Sequence, residues 1–385
     1  MSISSGENLN LCVITFPLQN YVPLVRLVRT LEPLANNITL ITGNFPNVSV
    51  ADNVTVINVK NDQKQQTMLL RIPKYVITQL KITYQLIKTY KKTDIVLFFV
   101  GGFGLVLPMV TAKLLRKKVI LSMAGSGTRS AVGVYKNTLW GAGSVIFPRL
   151  IALLEKLNFR MSDRIVVYAP SSIYFYKLDK FRSKISIAHE HFLDFNTFRI
   201  ERKLNKRNDL IGYLGRLSEE KGVINFVRAI PGVLKINRTA RFLIIGQGPL
   251  KFEIQKFIKE HKLENQVGIQ DWIDSEEIPK YLNRLKLLIL PSYTEGLPNI
   301  ILEAMACGTP ALTTPVGNVP DLIEDGETGF ILESNKPESI VTGIQRALNH
   351  TKLDEIVEKA RRFVEQNYTY EKAVAGYRSV LTSIK

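Results

Sequence analysis

Short runs of aliphatic and β-branched residues alternate with helical stretches along the whole chain. Such runs predict β-strands, and strands that lead directly into helical patterns are typical of βαβ units and parallel sheets. The predicted strands of the first half are 11–16, 38–42, 54–59, 94–100, 118–123 and 164–169. Those of the second half are 210–215, 241–246, 266–272, 285–291 and 309–314. We therefore predict an α/β protein with two Rossmann-like domains whose parallel sheets face a cleft.

A polar and irregular segment, residues 186–208, separates the two series of strands and is interpreted as a linker. The predicted N-terminal domain covers residues 1–190, and the predicted second domain covers residues 205–365. An amphipathic C-terminal helix, residues 368–385, is expected to join the N-terminal domain. Ligands of such sheets bind beyond the carboxyl ends of the strands, so function is expected in the loops that follow them.

Residues 95–112 carry no charged side chain and are long enough to suggest a membrane-spanning helix. Three glycines and Pro108 interrupt the segment. A buried strand, a glycine loop and the start of a buried helix explain the same pattern, and we favour this second interpretation.

The net charge of +17 is unevenly distributed. Residues 1–190 contain 24 Lys or Arg and 9 Asp or Glu, whereas residues 191–385 contain 27 and 25. A basic half suggests an anionic partner, which is either a nucleic acid or a membrane surface. No aromatic-basic motif or zinc spacing accompanies the charge, so we expect an anionic membrane surface and no nucleic acid.

Two cysteines, Cys12 and Cys307, are too few and too far apart for a zinc site or a disulfide framework. They suggest a reducing, cytoplasmic setting. The first 16 residues lack the basic and then apolar segments of an export signal. We expect a cytoplasmic protein that is peripheral on the inner membrane face if it binds lipid.

Two glycine-containing segments follow predicted strands of the second half. In the first, Gly215 allows the chain to turn, and Arg216 and Lys221 then provide cations suited to phosphate. In the second, Gly246 and Gly248 allow a ligand to approach the backbone. Each segment alone is also compatible with an ordinary surface turn. The second is not a full G-x-G-x-x-G motif and gives little support to a nicotinamide cofactor.

The segment PSYTEGLPNIILEAMACGTP, residues 291–310, places two carboxylates around a predicted helix start. Pro298 suits the first turn of that helix, whose amides would attract an anion. Glu295 and Glu303 lie on either side of this helix start and suit a hydroxyl-rich ligand such as a sugar. Either glutamate alone is equally compatible with a solvated residue near a helix dipole.

Taken together, the motifs Gly-Arg-Leu-x3-Lys-Gly, Gly-x-Gly-Pro and Glu-x7-Glu resemble the retaining glycosyltransferases of family 4, which have the GT-B fold. The resemblance covers about residues 185–365. It includes Asp194 and Phe198, which resemble the Asp-x3-Phe ending of the family's linker, and PVGNVPDLIEDGETGFIL at 315–332.

The resemblance implies a nucleotide-diphospho-sugar as donor and no other cofactor. It implies that Arg216 and Lys221 bind the diphosphate and stabilise the leaving nucleotide, and that Glu295 holds the transferred sugar. These three are the candidate catalytic residues. The further donor-binding residues that it implies fall into four groups. Gly215 and Gly246 belong to the two glycine-containing segments, and Trp272 and Ile273 would lie near the base. The backbone of Leu297, Pro298 and Asn299 would help to hold the sugar, and Glu303 would bind the ribose.

The chain has no Asp-x-Asp motif, which metal-dependent glycosyltransferases of the GT-A fold use to hold a cation on the diphosphate. We therefore predict no metal. The N-terminal half departs from the family. The loop at 16–23 lacks glycine, all four histidines follow residue 188, and Ala124 and Gly125 stand where many members have histidine. Gly101 and Gly102 are partial substitutes for the missing glycines.

Residues 64–92 predict a basic amphipathic helix on which Lys74, Lys81 and Lys88 repeat every seven residues beside Arg71. This helix could contact an anionic membrane. Equally, its apolar residues Val76, Leu80, Tyr84 and Ile87 could pack on the first domain. The charge balance favours the membrane.

The predicted function is a retaining hexosyl transfer from a nucleotide-diphospho-sugar to a glycan or lipid-linked acceptor at the cytoplasmic membrane face. Two alternatives remain open from the sequence. One is a sugar-nucleotide epimerase, although the N-terminal half lacks the histidines that this chemistry favours. The other is a non-catalytic subunit that binds sugar nucleotides.

Overall fold

The computed structural model of this chain describes residues 9–17, 21–43, 45, 50–59, 68–123 and 143–384. It divides into two compact units. The first unit combines Met1–His191 with Tyr370–Lys385, and the second is Phe192–Thr369. Each unit is built on its own parallel sheet.

The first unit contains a sheet of seven strands in the order β3-β2-β1-β4-β5-β6-β7. Every pairing in it is parallel. From β1 the chain adds β2 and β3 on one side. It then adds β4 on the other side of β1 and continues outward to β7. The strands are β1 Asn10–Thr15, β2 Asn37–Thr42, β3 Val54–Asn58, β4 Ile95–Phe99, β5 Lys118–Met123, β6 Arg164–Val167 and β7 Ile185–Ile187.

Helices cover both faces of this sheet. They are α1 Val22–Leu31, α2 Met68–Thr89, α3 Val106–Leu114, α4 Gly143–Met161, α5 Ser171–Phe175 and the C-terminal helix Tyr370–Thr382. Short 3-10 helices occupy Glu32–Leu34, Tyr90–Lys92, Gly102–Gly104 and Asp179–Lys184.

Two hydrophobic clusters lie on opposite faces of the seven-stranded sheet, because successive side chains of a strand point in opposite directions. Leu11 and Val13 of β1 pack with α1 and the C-terminal helix. Cys12 and Ile14 belong to the other cluster, to which α2, α3 and α4 contribute. Strands buried on both faces explain the continuous apolar runs that predicted a parallel sheet.

Residues 95–112 form β4, a glycine turn and the first part of α3. The predicted strand, loop and helix are confirmed, and the alternative of a membrane-spanning helix is wrong. Among the residues that the structure describes, no helix is long and apolar enough to cross a bilayer.

The second unit contains a sheet of six strands in the order β10-β9-β8-β11-β12-β13, again with parallel pairings throughout. Its strands are β8 Leu210–Leu214, β9 Arg241–Ile245, β10 Val267–Gln270, β11 Leu287–Leu290, β12 Ala311–Thr313 and β13 Phe330–Ile331. Its helices are α6 Val223–Ile236, α7 Lys251–Glu260, α8 Ile278–Leu282, α9 Asn299–Ala306, α10 Pro337–Leu348 and α11 Leu353–Asn367, and its 3-10 helices are Leu204–Lys206, Glu219–Lys221 and Val319–Asp321. The predicted α/β class with two Rossmann-like parallel-sheet units is confirmed.

The division between the two units falls inside segment 186–208, after His191. Its first residues belong to β7, and Arg207 near its end is only 5% exposed. The Arg207 guanidinium donates to the carbonyls of Cys307 at 2.7 Å and Leu285 at 2.9 Å, and to the Thr309 hydroxyl at 2.7 Å. Burial lowers the pKa of Arg207 to about 10. Arg207 therefore fixes the end of the segment to the second unit, whereas many other residues of the segment are exposed.

A buried polar cluster joins the C-terminal helix to the sheet of the first unit. The Tyr168 hydroxyl donates to Glu190 Oε1 at 2.6 Å, and His191 Nε2 lies 3.6 Å from the same oxygen. Tyr377 of the C-terminal helix and Arg26 also act on Glu190 electrostatically. Glu190 is fully buried, and this burial raises its pKa to about 7.

We expect Glu190→Gln to stabilise the protein above pH 7. The native pKa of about 7 lies above the ordinary value of 4.5, so the folded state favours the protonated acid and Glu190 costs stability as pH rises through about 7. A neutral amide avoids that cost. Thermal unfolding should show a melting temperature higher by a few degrees at pH 8 and almost unchanged at pH 5. The exposed Glu264→Gln is the control, and an equal gain at both pH values would contradict the assignment.

Candidate functional site

Five loops of the second unit meet at one edge of its sheet. They follow β8, β9, β10, β11 and β12, and the carboxyl ends of parallel strands all lie at the same edge. From β8 the chain proceeds to β9 and β10 on one side, whereas β11, β12 and β13 extend on the other. The strand order therefore reverses between β8 and β11, which is where open α/β sheets bind ligands.

A partly buried ion pair spans this reversal point. Lys221, after β8, places its Nζ 2.8 Å from both carboxylate oxygens of Glu295, after β11. The Glu295 side chain is 5% exposed and that of Lys221 is 23% exposed. Ser292 is fully buried and its hydroxyl donates to Glu295 Oε1 at 2.6 Å. The two residues that the sequence assigned to phosphate and sugar are thus direct partners.

Two glycines allow the loops to approach closely enough for this pair. Gly222 has a φ of +65°, and a Cβ there would lie 2.0 Å from the Pro291 carbonyl oxygen. Gly317 has a φ of +61°, and a Cβ there would lie 2.0 Å from the Glu295 carbonyl oxygen. L-residues disfavour this left-handed backbone and could not fit the contacts. The loops after β8, β11 and β12 therefore hold one another at the backbone.

Arg216 lies at the same edge in a more exposed setting. Its side chain is 66% exposed and lies 3.4 Å from Glu220 Oε1. The buried Tyr213 hydroxyl donates to the Arg216 carbonyl oxygen at 2.6 Å, which fixes the backbone but leaves the guanidinium in solvent. An exposed ion pair contributes less than about 1 kcal/mol. The Arg216 guanidinium is therefore only weakly held by Glu220.

The loop after β9 touches the loop after β8. A Cβ on Gly246 would lie 1.9 Å from the Gly215 carbonyl oxygen, and the Gly215 amide donates to Ile245 at 3.0 Å. Gly215 and Gly246 therefore allow the backbones of the loops after β8 and β9 to contact each other. After the edge strand β10, Ile273 is buried and Trp272 is 63% exposed. Trp272 is therefore the accessible member of this pair.

The helix α9 begins at Asn299, one residue later than the sequence suggested. Pro298 precedes it with an extended ψ of 107° instead of lying in its first turn. Leu297 and Pro298 are buried, and Asn299 is half-buried. Glu303, one turn into the helix, is 6% exposed. Leu297 to Asn299 therefore connect the ion pair to the helix that carries the second glutamate.

The sequence analysis missed Ser292, although it lies inside the segment that supplied both glutamates. Its only signal was a hydroxyl three residues before Glu295. The Ser292 carbonyl oxygen accepts a hydrogen bond from the Thr314 hydroxyl, which links the loops after β11 and β12. Both residues are buried.

The residues predicted for membrane contact lie in the first unit, on α2. Lys81 and Lys88 are exposed and Lys74 is half-buried. The side chain of Arg71, residues 64–67, Ala124 and Gly125 lie outside the described residues. The helix α2 does pack on the first unit, through Ile82 and Leu86. The expectation that Val76, Leu80, Tyr84 and Ile87 form this packed side is wrong, because they are 46–55% exposed.

Comparison with known proteins finds a family match for the second unit. Residues 194–369 match the family model of glycosyl transferases group 1. The chain is 30% identical over 174 residues to α-D-kanosaminyltransferase of Streptomyces kanamyceticus, covering 44% of this chain and 45% of that protein. It is 28% identical to the capsular polysaccharide biosynthesis glycosyltransferase CapM of Staphylococcus aureus, covering 49% of this chain and 50% of that protein. The chain thus spans about half the length of these relatives.

Solved structures resemble the chain over nearly its full length. HepE of Anabaena in complex with UDP has a TM-score of 0.72 at 15% identity and covers 97% of this chain and 99% of its own. Sucrose-phosphate synthase of Thermosynechococcus elongatus has a TM-score of 0.73 at 16% identity and covers 98% of this chain and 100% of its own. These likenesses confirm the predicted GT-B fold class.

We expect Gly222→Ala to destabilise the second unit far more than Gly326→Ala. Both glycines have a left-handed φ, of +65° and +77°, but a Cβ on Gly326 would meet nothing within 4 Å. The control should therefore lose only about 1–2 kcal/mol of backbone strain. Gly222→Ala should lose about 1–3 kcal/mol more from the clash with Pro291. Calorimetric unfolding of both variants tests this, and equal losses would contradict the close loop approach.

Proposed function

We propose that this chain is a retaining glycosyltransferase that uses a nucleotide-diphospho-sugar as donor and needs no metal ion. One observation carries the proposal. The residues that match the glycosyl transferase family model contain a partly buried Lys221–Glu295 pair where the strand order reverses. Cations for phosphate and carboxylates for hydroxyls are thus available at one ligand-binding edge.

The donor would exchange partners within this site. Lys221 has three ammonium hydrogens, and its two described bonds to Glu295 leave donor capacity for a phosphate oxygen. Arg216, only weakly held by Glu220, would supply the second cation. As Lys221 turns towards the phosphate, Glu295 would gain acceptor capacity for sugar hydroxyls, and Glu303 would take the ribose hydroxyls.

The proposed transfer replaces one C–O bond with another on the same face of the sugar. The bond between the anomeric carbon and the diphosphate oxygen breaks, and its electron pair leaves with the nucleotide. The acceptor oxygen bonds to the anomeric carbon, and its proton passes to the departing phosphate. Lys221 and Arg216 would stabilise the negative charge that grows on the diphosphate. No protein base is required, in keeping with the lack of a suitable histidine before residue 189.

UDP-sugars are the first donors to test. The structurally similar HepE was solved with UDP and with UDP-glucose, but a likeness at 15% identity carries no base or sugar identity to this chain. The acceptor we propose is a glycan or a lipid-linked saccharide at the cytoplasmic membrane face. The name of the relative CapM, a capsular polysaccharide biosynthesis glycosyltransferase, supports this acceptor class.

The decisive experiment incubates the protein with a panel of UDP- and GDP-sugars, with and without a lipid-linked saccharide acceptor. Nucleotide released only with acceptor, and undiminished by EDTA, is the expected result. Donor binding without turnover would instead support a sugar-nucleotide-binding subunit. Conversion of the donor sugar into its epimer without acceptor would support an epimerase.

We expect Glu303→Gln and Glu295→Gln to lower kcat/KM by at least about 100-fold, because each removes an acceptor aimed at the donor. Glu264→Gln, an exposed glutamate on the same unit, is the matched control. Thermal unfolding of all three variants separates loss of activity from loss of fold. Unchanged kinetics in well-folded Glu303→Gln would remove Glu303 from the site.

A further inference from the structure

Three neighbouring helices of the first unit present large apolar side chains to solvent. The helices α2 and α3 pack against each other, as do α3 and α4, and all three bury their inner sides on the same sheet face. We call their outer side the α2–α4 face. Its exposed apolar residues are Val76 46%, Ile77 48%, Leu80 53%, Tyr84 55%, Ile87 48%, Leu107 37%, Leu114 78%, Leu150 49%, Leu153 62% and Leu157 39%.

The exposure on α2 is a consistent stripe and not scattered residues. Leu80, Tyr84 and Ile87 follow one another at helical spacing on the outer side. Ile82 and Leu86 face inward and are fully buried. Large exposed apolar areas on a protein surface mark interaction sites.

The charge around these apolar residues has one sign. Over the three helices the sequence contains one acidic residue, Glu155, and it is 6% exposed. Lys88 lies with its Nζ 4.5 Å from the centre of the Tyr84 ring, at the border of the apolar stripe. Lys113 is paired with Asp163, which follows α4. The basic residues of the three helices are Arg71, Lys74, Lys81, Lys88, Lys113, Arg149, Lys156 and Arg160.

We propose that the whole α2–α4 face docks on an anionic lipid surface, with the apolar side chains of all three helices entering the interfacial region. The inference extends the membrane part of the proposed function from one lysine stripe to a three-helix surface whose affinity has a large apolar component. Apolar burial and attraction of Lys or Arg to anionic headgroups add to each other in such contacts.

The chemistry of this face fits a bilayer better than other partners. A nucleic acid offers charged phosphates but no apolar interior to cover ten exposed apolar side chains. A symmetric dimer through this face would bring the same set of cations against itself. An anionic bilayer provides both an apolar layer and opposite charge.

Vesicle co-sedimentation of the full chain tests the proposal. The wild-type protein should bind vesicles containing anionic phosphatidylglycerol and bind purely phosphatidylcholine vesicles at least tenfold more weakly. The combined variant Leu80→Gln, Leu114→Gln and Leu153→Gln changes one exposed residue on each helix and should lower binding at least tenfold. Ile236→Gln with Phe252→Gln, which are 55% and 78% exposed on the other unit, is the matched control and should bind normally.

A second variant tests the width of the surface. Leu114→Gln with Leu153→Gln leaves α2 unchanged and should still lower vesicle binding severalfold. Full binding by this variant would confine the contact to α2 and overturn the proposal. Sedimentation velocity tests whether the protein forms a dimer through this face. A wild-type dimer that is lost in the triple variant would assign the face to a second copy of the chain and overturn the proposal.

Transfer assays keep this proposal separate from the proposed function. The triple variant should transfer sugar to a water-soluble acceptor fragment as well as the wild type does, and lose only the rate on vesicle-borne acceptor. Equal rates on vesicle-borne acceptor would overturn the membrane surface while leaving the transferase intact. Vesicle binding without transfer to any acceptor would reject the transferase and leave the surface in place.

Discussion

The close approach of backbone between the loops after β8 and β11 is the constraint on which the candidate site depends. Gly222 lies against the Pro291 carbonyl with no room for a side chain. The Tyr293 amide donates to the Glu220 carbonyl at 2.9 Å, one residue before Lys221. With the two loops joined in this way, Lys221 and Glu295 meet although 74 residues separate them. The pair is thus a consequence of backbone packing as much as of mutual attraction.

The Lys221–Glu295 pair is partly buried, so each charge depends on its partners. Removing two charges from water costs several kcal/mol, and their attraction and hydrogen bonds offset that cost only when each charge is well partnered. Ser292 adds a partner for Glu295, so the carboxylate keeps a hydrogen bond if Lys221 moves. In the proposed function, a donor phosphate would replace Glu295 as the partner of Lys221 and would supply the negative charge.

The sequence predicted strands β1 to β6 and β8 to β12 and the parallel class, because buried parallel strands produce runs of apolar residues that are visible locally. It missed the short strands β7 and β13, of three and two residues. It did not predict that Lys221 and Glu295 contact each other, since that depends on β11 lying next to β8 in the sheet. Roles for the site residues remain predictions. Arg207 was overlooked because a charged residue in a polar segment resembles a surface residue, and only the fold shows its carbonyl partners.

The helix α2 shows a second limit of local patterns. Periodicity separated its lysines from Val76, Leu80, Tyr84 and Ile87, but it did not show which side of the helix meets the sheet. The structure turns Thr78, Ile82 and Leu86 inward and leaves the more apolar stripe in solvent. The buried side is thus neither of the two faces that the pattern identified, and only tertiary packing shows it.

The first unit is formed by two distant parts of the chain, and this affects the order in which the two units can fold during synthesis. Tyr377, Val380 and Leu381 complete the cluster around α1, yet they are synthesised after the entire second unit. On the ribosome, the continuous second unit has all its residues available first, whereas the first unit waits for its last helix with part of its apolar core uncovered. During that interval the N-terminal half keeps exposed the apolar surface that the C-terminal helix covers in the folded protein.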